Sequence, residues 1–364
     1  MKLFALPLLE PHTAALERCV YCPKLSRAAC PVSNVEASET VTPWGKMSVA
    51  YFAGRGTVPR DEEHLETAWA CSGCYACRER CEHHNEVATV LADVRAEAFA
   101  RGVAPGVTKR VARETRVRDE EYARGLATLE PAAGPRARIA VVLGCSYVRH
   151  HPDVARSIWR LVQRMLGPEV RLVSSCCGLP SYQCGDREGF VAAATRTAQQ
   201  CDGAERVVAI DAGCAATMTH AYPRFGVAAL GVLPLIDVLY RELDRLPARA
   251  LEGRRLRYTD PCQLGRGLGR YDEPRAVLAR LLGSAAEGFL RERSEGECSG
   301  AGGLLPVTRP ETSRAIADER LREHERRGGG TLVTACASSL RRFRSRGAPA
   351  LDLYELVAHA LDAE

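Results

Sequence analysis

Apolar positions recur at spacings of three and four along the first third of the chain, which is the period of an amphipathic helix. The runs TAALERC, HLETAWACSGCYACRERC and EVATVLADVRAEAFARG show this period, and no alternating β-branched run interrupts them. Residues 1–125 are therefore predicted to form an all-helical module. A segment of small residues with Pro131, Gly134 and Pro135 follows, which predicts a linker over residues 126–136.

Beyond the linker the pattern changes to strand, loop and helix in repetition. The short apolar runs RIAVVLGC, VRLVSSCCG and RVVAIDAGC each end in glycine or cysteine, and each precedes a helical stretch. This alternation predicts parallel sheets flanked by helices. The fold class expected for the chain is α+α/β, with an all-helical module followed by α/β units that have parallel sheets.

Cysteines repeat through this second region. Three of them recur at offsets of 117, 122 and 122 residues, the pairs being Cys145 with Cys262, Cys176 with Cys298, and Cys214 with Cys336. Each ends or follows a predicted strand, and the segments expected to form the strands of the second copy are LRYTDPC, SEGECSG and TLVTAC. The repeat predicts two copies of one α/β unit, over residues 137–248 and 249–364. Ligands of such sheets bind beyond the carboxyl ends of the strands, where these cysteines are expected.

Composition and charge exclude several classes of protein. The chain has 364 residues, of which 46% are hydrophobic and 26% charged, as in globular proteins of two or three domains. It has no apolar run long enough to span a membrane and no secretory signal in MKLFALPLLEP, so a cytoplasmic location is expected. The net charge of +5 is dispersed, and no nucleic-acid partner is expected. The 16 clustered cysteines, in a chain without an export signal, indicate metal binding rather than disulfides.

The segment CSGCYACRERC has the strongest metal-binding pattern. Its cysteines have the C-x2-C-x2-C-x3-C spacing of half a bacterial ferredoxin, in which three thiolates hold one cluster and the fourth crosses to another. The upstream segment CVYCPKLSRAACP supplies the cysteine before proline that completes the first cluster. The first set of predicted [4Fe–4S] ligands is therefore Cys30, Cys71, Cys74 and Cys77.

The second set, Cys19, Cys22 and Cys81, is one ligand short of a cluster. Ser26 stands where a further cysteine is expected, and serine is a poor ligand because its hydroxyl loses a proton only at much higher pH than a thiol. Three interpretations stay open: a [4Fe–4S] cluster with oxygen or water on one iron, a [3Fe–4S] cluster, or buried thiols without metal.

The segments CCGLP, DPCQLGRGLGRYDEPR and CSGAGGLLP resemble the cysteine-rich CCG domain of heterodisulfide reductases and of the iron–sulfur subunits of glycolate, lactate and glycerol-3-phosphate dehydrogenases. Those proteins also join a helical two-cluster ferredoxin module to a duplicated CCG region. The resemblance implies two further sets of metal ligands. The third set is Cys145, Cys176, Cys177 and Cys214, and the fourth set is Cys262, Cys298 and Cys336.

This chain departs from the family pattern of five cysteines in each unit. Thr217 takes the place of a cysteine in the first unit, and Ser299 and Ser339 take such places in the second. Neither unit therefore has the five thiolates that the resemblance associates with the fused clusters of heterodisulfide reductases. On ligand count, the third set suits a cubane cluster or a tetrahedral zinc ion equally well. The fourth set leaves one iron open or binds no metal.

Glycines beside these cysteines are candidate cofactor-binding residues, because a cluster requires close backbone approach and amide groups aimed at sulfur. They are Gly178, Gly300, Gly302 and Gly303. A nucleotide-binding loop is the rival interpretation of SGAGG, but the segment lacks the Gly-x-Gly-x-x-Gly register. Cys184 and Cys201 have no counterpart in the second unit and are expected to be free thiols.

The resemblance implies an iron–sulfur electron-transfer subunit of an oxidoreductase complex, which relays electrons between a flavoprotein and a quinone, a disulfide or another acceptor. The implied partner is a flavoprotein dehydrogenase or an electron-transferring flavoprotein, with peripheral contact at the inner face of the membrane if the acceptor is a quinone. Two alternatives stay open. One is a disulfide reductase with its active site at the fourth set, and the other is a zinc-stabilised scaffold protein.

Overall fold

The computed structural model describes residues 4–129, 137–228 and 230–363. These residues pack into two compact units. The first unit contains the described residues up to Thr115, Pro180–Phe190 and Ser294–Arg322, and the second contains Arg116–Leu179, Val191–Arg293 and the described residues from Glu323 onward. Residues 130–136 of the predicted linker lie outside the described residues. The domain boundaries inferred from the sequence stay predictions.

Helices form the chain ahead of the first strand, as the sequence predicts. They are α1 (Thr13–Val20), α2 (Pro31–Glu36), α3 (Pro43–Arg55), α4 (Glu62–Leu65), α5 (Ala76–Glu79), α6 (Val87–Ala100) and α7 (Gly106–Ala127). Helix α3 shows why they begin and end where they do. The Thr42 hydroxyl accepts the Gly45 amide hydrogen at 2.9 Å, and the helix ends at Gly56, whose φ is +77°.

The core of the first unit is built from apolar side chains of α1, α3 and α6 and of the turn Glu66–Trp69. Trp69 is its largest member, and its indole donates to Gln183 O at 3.1 Å. Burial of each large apolar side chain contributes about 1.5–3 kcal/mol. Cys71 belongs to this core, and Cys19 and Cys77 pack against it. The core therefore holds segments that carry the predicted metal ligands.

The second unit contains two parallel sheets. The strands are β1 (Ile139–Val142), β2 (Val170–Leu172), β3 (Arg206–Ala209), β4 (Val232–Pro234), β5 (Leu256–Tyr258), β6 (Thr331–Thr334) and β7 (Ala350–Asp352). One sheet has the order β2-β1-β3-β4 and the other the order β5-β6-β7. Every pairing within them is parallel, with Ala140 opposite Val207 in the first sheet and Tyr258 opposite Val333 in the second.

Helices follow most strands in the chain beyond β1. They are α8 (Cys145–His150), α9 (Pro152–Leu166), α10 (Leu179–Cys184), α11 (Arg187–Cys201), α12 (Ala212–Ala216), α13 (Tyr222–Arg224), α14 (Leu235–Arg241), α15 (Asp272–Leu282), α16 (Leu305–Thr308), α17 (Pro310–Arg326), α18 (Ala337–Arg344) and α19 (Leu353–Asp362). Of these helices, α16 and most of α10 and α17 belong to the first unit. Two wide π turns, Thr217–Ala221 and Gln263–Gly267, come shortly after Cys214 and Cys262. No helix in the described ranges is long and apolar enough to cross a membrane.

The predicted mixture of a helical region and parallel sheets is confirmed, whereas the duplication of the α/β units stays a prediction. Strands β1, β2, β3, β5 and β6 lie where the apolar runs predict them, and β4 and β7 were not predicted. The strand expected in SEGECSG is wrong, because that segment forms a short turn, Arg293–Glu295, and then irregular chain. It has no β-branched residue to favour a strand, and Gly300 has a φ of +75°.

Candidate iron–sulfur sites

The four cysteines of the first set line one recess in the first unit. Cys30 lies directly ahead of α2, where a proline occupies the first helical position, and Cys77 lies in α5. Cys71 and Cys74 come from the irregular segment before α5, in which Gly73 has a φ of +67°. All four border one small recess that is partly open to solvent. The structure thus brings together the thiols that the spacing predicts.

The ammonium of Lys46 lies among these thiols. Lys46, on α3, is 2% exposed, and its Nζ lies 3.5 Å from Cys30 Sγ and donates to Ala70 O at 2.7 Å. Burial alone would lower the pKa of Lys46, but the neighbouring thiolates outweigh burial and raise that pKa above its usual value. Burial and the other thiolates raise the pKa of Cys77. Ionised thiols therefore require more positive charge here, which a metal centre supplies.

Arg95, on α6, is a second buried cation beside the first set. Its guanidinium donates to Ala68 O at 2.9 Å and to Cys71 O at 2.7 Å, and it lies 5.9 Å from the centre of the Trp69 ring. In the described part of the chain, neither Arg95 nor Lys46 pairs with a carboxylate. Buried charges are normally paired, so two unpaired cations fit a negatively charged group held by the four thiols.

The structure also brings together the three cysteines of the second set, which are half-buried, in the same unit. Cys19 lies at the end of α1, and the charges of Cys22 and Cys81 act on its thiol. Burial raises the pKa of Cys19 to about 11, against the effect of Asn85, whose amide donates to the sulfur at 3.0 Å. No hydrogen bond within the described residues joins Ser26 to these cysteines. Whether Ser26 is a ligand stays open.

The third set forms a compact group of thiols in the second unit. Cys145 begins α8, Cys176 and Cys177 follow β2, and Cys214 lies in α12. The Sγ atoms of Cys145 and Cys176 lie 3.8 Å apart, and those of Cys177 and Cys214 lie 3.3 Å apart. The neighbouring thiol of Cys176 and burial raise the pKa of Cys145. The amide of Gly178 hydrogen-bonds to Cys176, as expected for a glycine beside a cluster.

Asp211 lies beside the third set and joins two helices of the second unit. Its carboxylate accepts the Gly213 amide hydrogen at 2.9 Å, which caps α12, and the Ala337 amide hydrogen at 3.3 Å, at the start of α18. Burial raises the pKa of Asp211, and its negative charge acts on the thiols of Cys214 and Cys336. Asp211 therefore links the helix that carries Cys214 to the helix that follows Cys336.

The structure divides the fourth set. Cys262 and Cys336 lie in the second unit, where burial raises the pKa of Cys336 to about 12 and hydrogen bonds from Ser339 lower it. Cys298 instead belongs to the first unit, with its Sγ 3.7 Å from Ser72 Oγ. Within one unit, therefore, only two of the three predicted cysteines are grouped. In the described ranges, no three His, Cys, Asp or Glu side chains are arranged to hold a single metal ion.

Two of the predicted glycines lie against the loop that carries Cys71, and a third lies beside Cys298. The Gly300 amide donates to Cys298 Sγ at 3.3 Å. A Cβ atom on Gly302 would lie 2.4 Å from Ser72 O, and one on Gly303 would lie 2.1 Å from Cys71 O. The absence of side chains at these positions therefore permits the loop that carries Cys298 to pack directly on the loop that carries Cys71.

Comparison with known proteins identifies both regions of the chain. A model of the 4Fe-4S dicluster domain matches residues 15–85, and a model of the cysteine-rich (CCG) domain matches residues 139–219 and 256–341. The chain therefore combines a segment that matches the 4Fe-4S dicluster domain with two segments that match the CCG domain. The resemblance inferred from the sequence and the predicted [4Fe–4S] cofactors are thereby confirmed.

Several relatives are similar over most of the chain. One subunit of the fumarate reductase (CoM/CoB) of Methanothermobacter marburgensis is 27% identical over 337 residues, which cover 89% of this chain and 66% of that protein. One subunit of the dihydromethanophenazine:CoB–CoM heterodisulfide reductase of Methanosarcina barkeri is 25% identical, covering 82% and 79%. The EtfAB:quinone oxidoreductase of Syntrophomonas wolfei is 24% identical over 65% of this chain and 36% of its own length.

Proposed function

We propose that this chain is the iron–sulfur electron-transfer subunit of an oxidoreductase complex. The observation that carries the proposal is the first set, in which four thiols border one recess beside two buried cations that pair with no carboxylate of the described residues. Such a donor set suits a [4Fe–4S] cluster, which accepts and returns single electrons when bound. The similarity to reductase subunits supports the same role.

The proposed ligands follow the four sets. Cys30, Cys71, Cys74 and Cys77 hold one cluster, Cys145, Cys176, Cys177 and Cys214 hold another, and the second set, with three cysteines, holds an incomplete or open cluster. Of the fourth set, Cys262 and Cys336 are together in the second unit, and Cys298 lies in the first. The protein's own groups supply ligation, exclusion of water and hydrogen bonds to sulfur, such as those from Asn85 to Cys19 and from Gly300 to Cys298. The domains are proposed as residues 1–125, 137–248 and 249–364.

The contact between Cys298 and Ser72 supports a relay of electrons. Ser72 follows the proposed ligand Cys71 directly, and Cys298 belongs to the fourth set. Both side chains are buried, and their side-chain atoms lie 3.7 Å apart. The loop that carries Cys298 therefore lies in direct contact with the loop that carries a proposed ligand of the first cluster.

The partner proposed is a flavoprotein dehydrogenase or an electron-transferring flavoprotein, with a quinone or a disulfide as acceptor. The similarity to EtfAB:quinone oxidoreductase supports the flavoprotein and the quinone. The location proposed is cytoplasmic, with peripheral membrane contact where the acceptor is a quinone. Co-purification with the flavoprotein and reduction of the chain by it, under anaerobic conditions, test this part of the proposal.

The test of the proposed function is metal analysis of anaerobically purified protein. We expect about four iron atoms and four sulfides for each complete set, together with an electron paramagnetic resonance (EPR) signal after reduction. The Cys71→Ala variant should lose about four iron atoms. The matched control is Cys201→Ala, which removes a buried thiol outside the four sets and should lose none. Zinc without iron, or an unchanged iron content in Cys71→Ala, would contradict the proposal.

Disulfide reduction is the second candidate function. The similarity to the heterodisulfide reductase of Methanosarcina barkeri and the incomplete fourth set favour it. In this reaction two electrons and two protons break one S–S bond and give two thiols. Thiol release from a disulfide by the reduced protein, and its loss in Cys336→Ser, would support this function. Electron transfer to a quinone without any thiol release would exclude it.

A further inference from the structure

Lys46 is buried in the first unit in a way that its backbone contact does not explain. A carbonyl oxygen, Ala70 O, accepts from its ammonium at 2.7 Å, but a single carbonyl carries no full negative charge. Among the described residues, the other hydrogen-bonding atom in reach of the ammonium is Cys30 Sγ, at 3.5 Å. A buried cation is costly unless a negative charge lies close to it. Lys46 therefore indicates where negative charge resides in the folded protein.

The cluster proposed for the first set supplies that charge. A cubane with a 2+ core and four thiolates carries a net charge of roughly −2, and reduction by one electron makes it more negative. A positive charge held in the protein interior is little screened, so it interacts strongly with both states of the cluster. The interaction is stronger with the reduced state because that state is more negative. The geometry therefore predicts that Lys46 favours the reduced cluster.

We propose that Lys46 is a positioning residue that raises the reduction potential of the cluster held by Cys30, Cys71, Cys74 and Cys77. The proposal rests on the proposed function, since it requires a cluster in the first set. It concerns this cluster alone. The second set receives a neutral hydrogen bond, from Asn85 to Cys19, in place of a buried ammonium.

Arg95 provides an internal comparison for Lys46. Both side chains are buried beside the first set, but the contacts of Arg95 are with the backbone carbonyls of Ala68, Cys71 and Gln183 and with the Trp69 ring. Its removal would leave several buried acceptors without donors, and the fold would be affected as well as the potential. Lys46 lies next to a ligand sulfur and bonds a single carbonyl, so its charge is the simpler of the two to remove.

The experiment is an EPR-monitored redox titration of the anaerobically purified full chain. In Lys46→Gln we expect iron content to be retained and the equilibrium constant for reducing one cluster to fall at least tenfold, which is a midpoint lower by 59 mV or more for a one-electron couple. The other midpoints should not move. Lys46→Arg, which keeps the charge, should retain the original midpoint. The matched control is Lys109→Gln, which removes a half-buried lysine of α7 that donates to Gly102 O.

Each outcome decides the proposal. If Lys46→Gln keeps its clusters and no midpoint moves, the proposal is overturned while the proposed function stands. If Lys46→Gln loses about four irons and Lys46→Arg keeps them, the charge is needed to hold the cluster and not to set its potential, and the proposal is overturned. If both variants lose iron, the lysine chain is needed for packing and the proposal is overturned. Wild-type protein without iron would overturn the proposed function itself.

Discussion

Gly303 is the position at which a single methyl group should disturb the first set of ligands most directly. Its φ is +64°, and a Cβ atom there would lie 2.1 Å from Cys71 O and 2.7 Å from Ser72 Cα. Gly303→Ala therefore adds two costs. The left-handed backbone costs about 1–2 kcal/mol for a residue with a Cβ atom, and overpacking against a fixed backbone costs about 1–3 kcal/mol.

Gly56→Ala is the control that separates these two costs. Gly56 also lies in the first unit, with a φ of +77°, but a Cβ atom there would have no neighbour within 4 Å. It should show only the backbone cost, so the free energies of unfolding of the two variants should differ by about 1–3 kcal/mol. In a domain of this size that difference corresponds to an apparent Tm about 2–12 °C lower for Gly303→Ala.

The assay is anaerobic thermal unfolding of both variants at one scan rate, together with iron analysis. The clash at Gly303 involves the backbone of Cys71, so we expect Gly303→Ala to lose iron from the first set and Gly56→Ala to retain it. Equal Tm values and equal iron contents would refute the close packing of these two loops.

Three further predictions concern single polar contacts. Asn85→Leu removes the hydrogen bond to Cys19 sulfur in the second set. We expect a redox titration to show a lower midpoint for one cluster. We expect denaturation to show a free energy of unfolding that is lower by about 1–3 kcal/mol. Arg275→Met removes the guanidinium that donates to both carboxylate oxygens of Asp260, whose side chain is 5% exposed. We expect the free energy of unfolding, measured in urea, to fall by about 3–5 kcal/mol. Burial raises the pKa of Asp352 to about 7. The folded state therefore holds this proton more tightly than the unfolded state does, and stability should fall as pH rises from about 4 through 7. Asp352→Asn, which keeps an acceptor for Tyr147 OH, should lose that part of the pH dependence.

Cysteine spacing predicts the first set, because the short spacing of Cys71, Cys74 and Cys77 leaves the chain few ways to arrange these thiols, whereas the third set is implied by the family resemblance. The four sulfur atoms of Cys145, Cys176, Cys177 and Cys214 are grouped in the structure as the family pattern implies. Cys298 shows the limit of this reasoning. Alignment with Cys176 assigns Cys298 to the predicted α/β unit of residues 249–364, but its loop belongs to the first compact unit and contacts Ser72. The spacing of cysteines does not predict a contact between residues so far apart in sequence.

Lys46 and Arg95 could have been found from the helical period. Lys46 is followed at positions four and seven by Ala50 and Ala53, which are both buried, so it lies on the apolar face of α3. Arg95 lies on a similar face of α6, between buried Leu91 and Ala98. A charged residue on an apolar face indicates a buried partner. The sequence does not say which partner, because that depends on where the helix packs.

These two cations also connect the cofactor to the stability of the first unit. Each buried charge carries a desolvation cost of several kcal/mol unless a partner of opposite sign offsets it. On the proposed assignment that partner is the cluster, since in the described residues neither Lys46 nor Arg95 pairs with a carboxylate. Without the cluster, the folded unit carries two uncompensated charges at its centre. Folding of the first unit and binding of its cluster are therefore thermodynamically linked, and the residues that adjust the potential also contribute to the stability of the loaded protein.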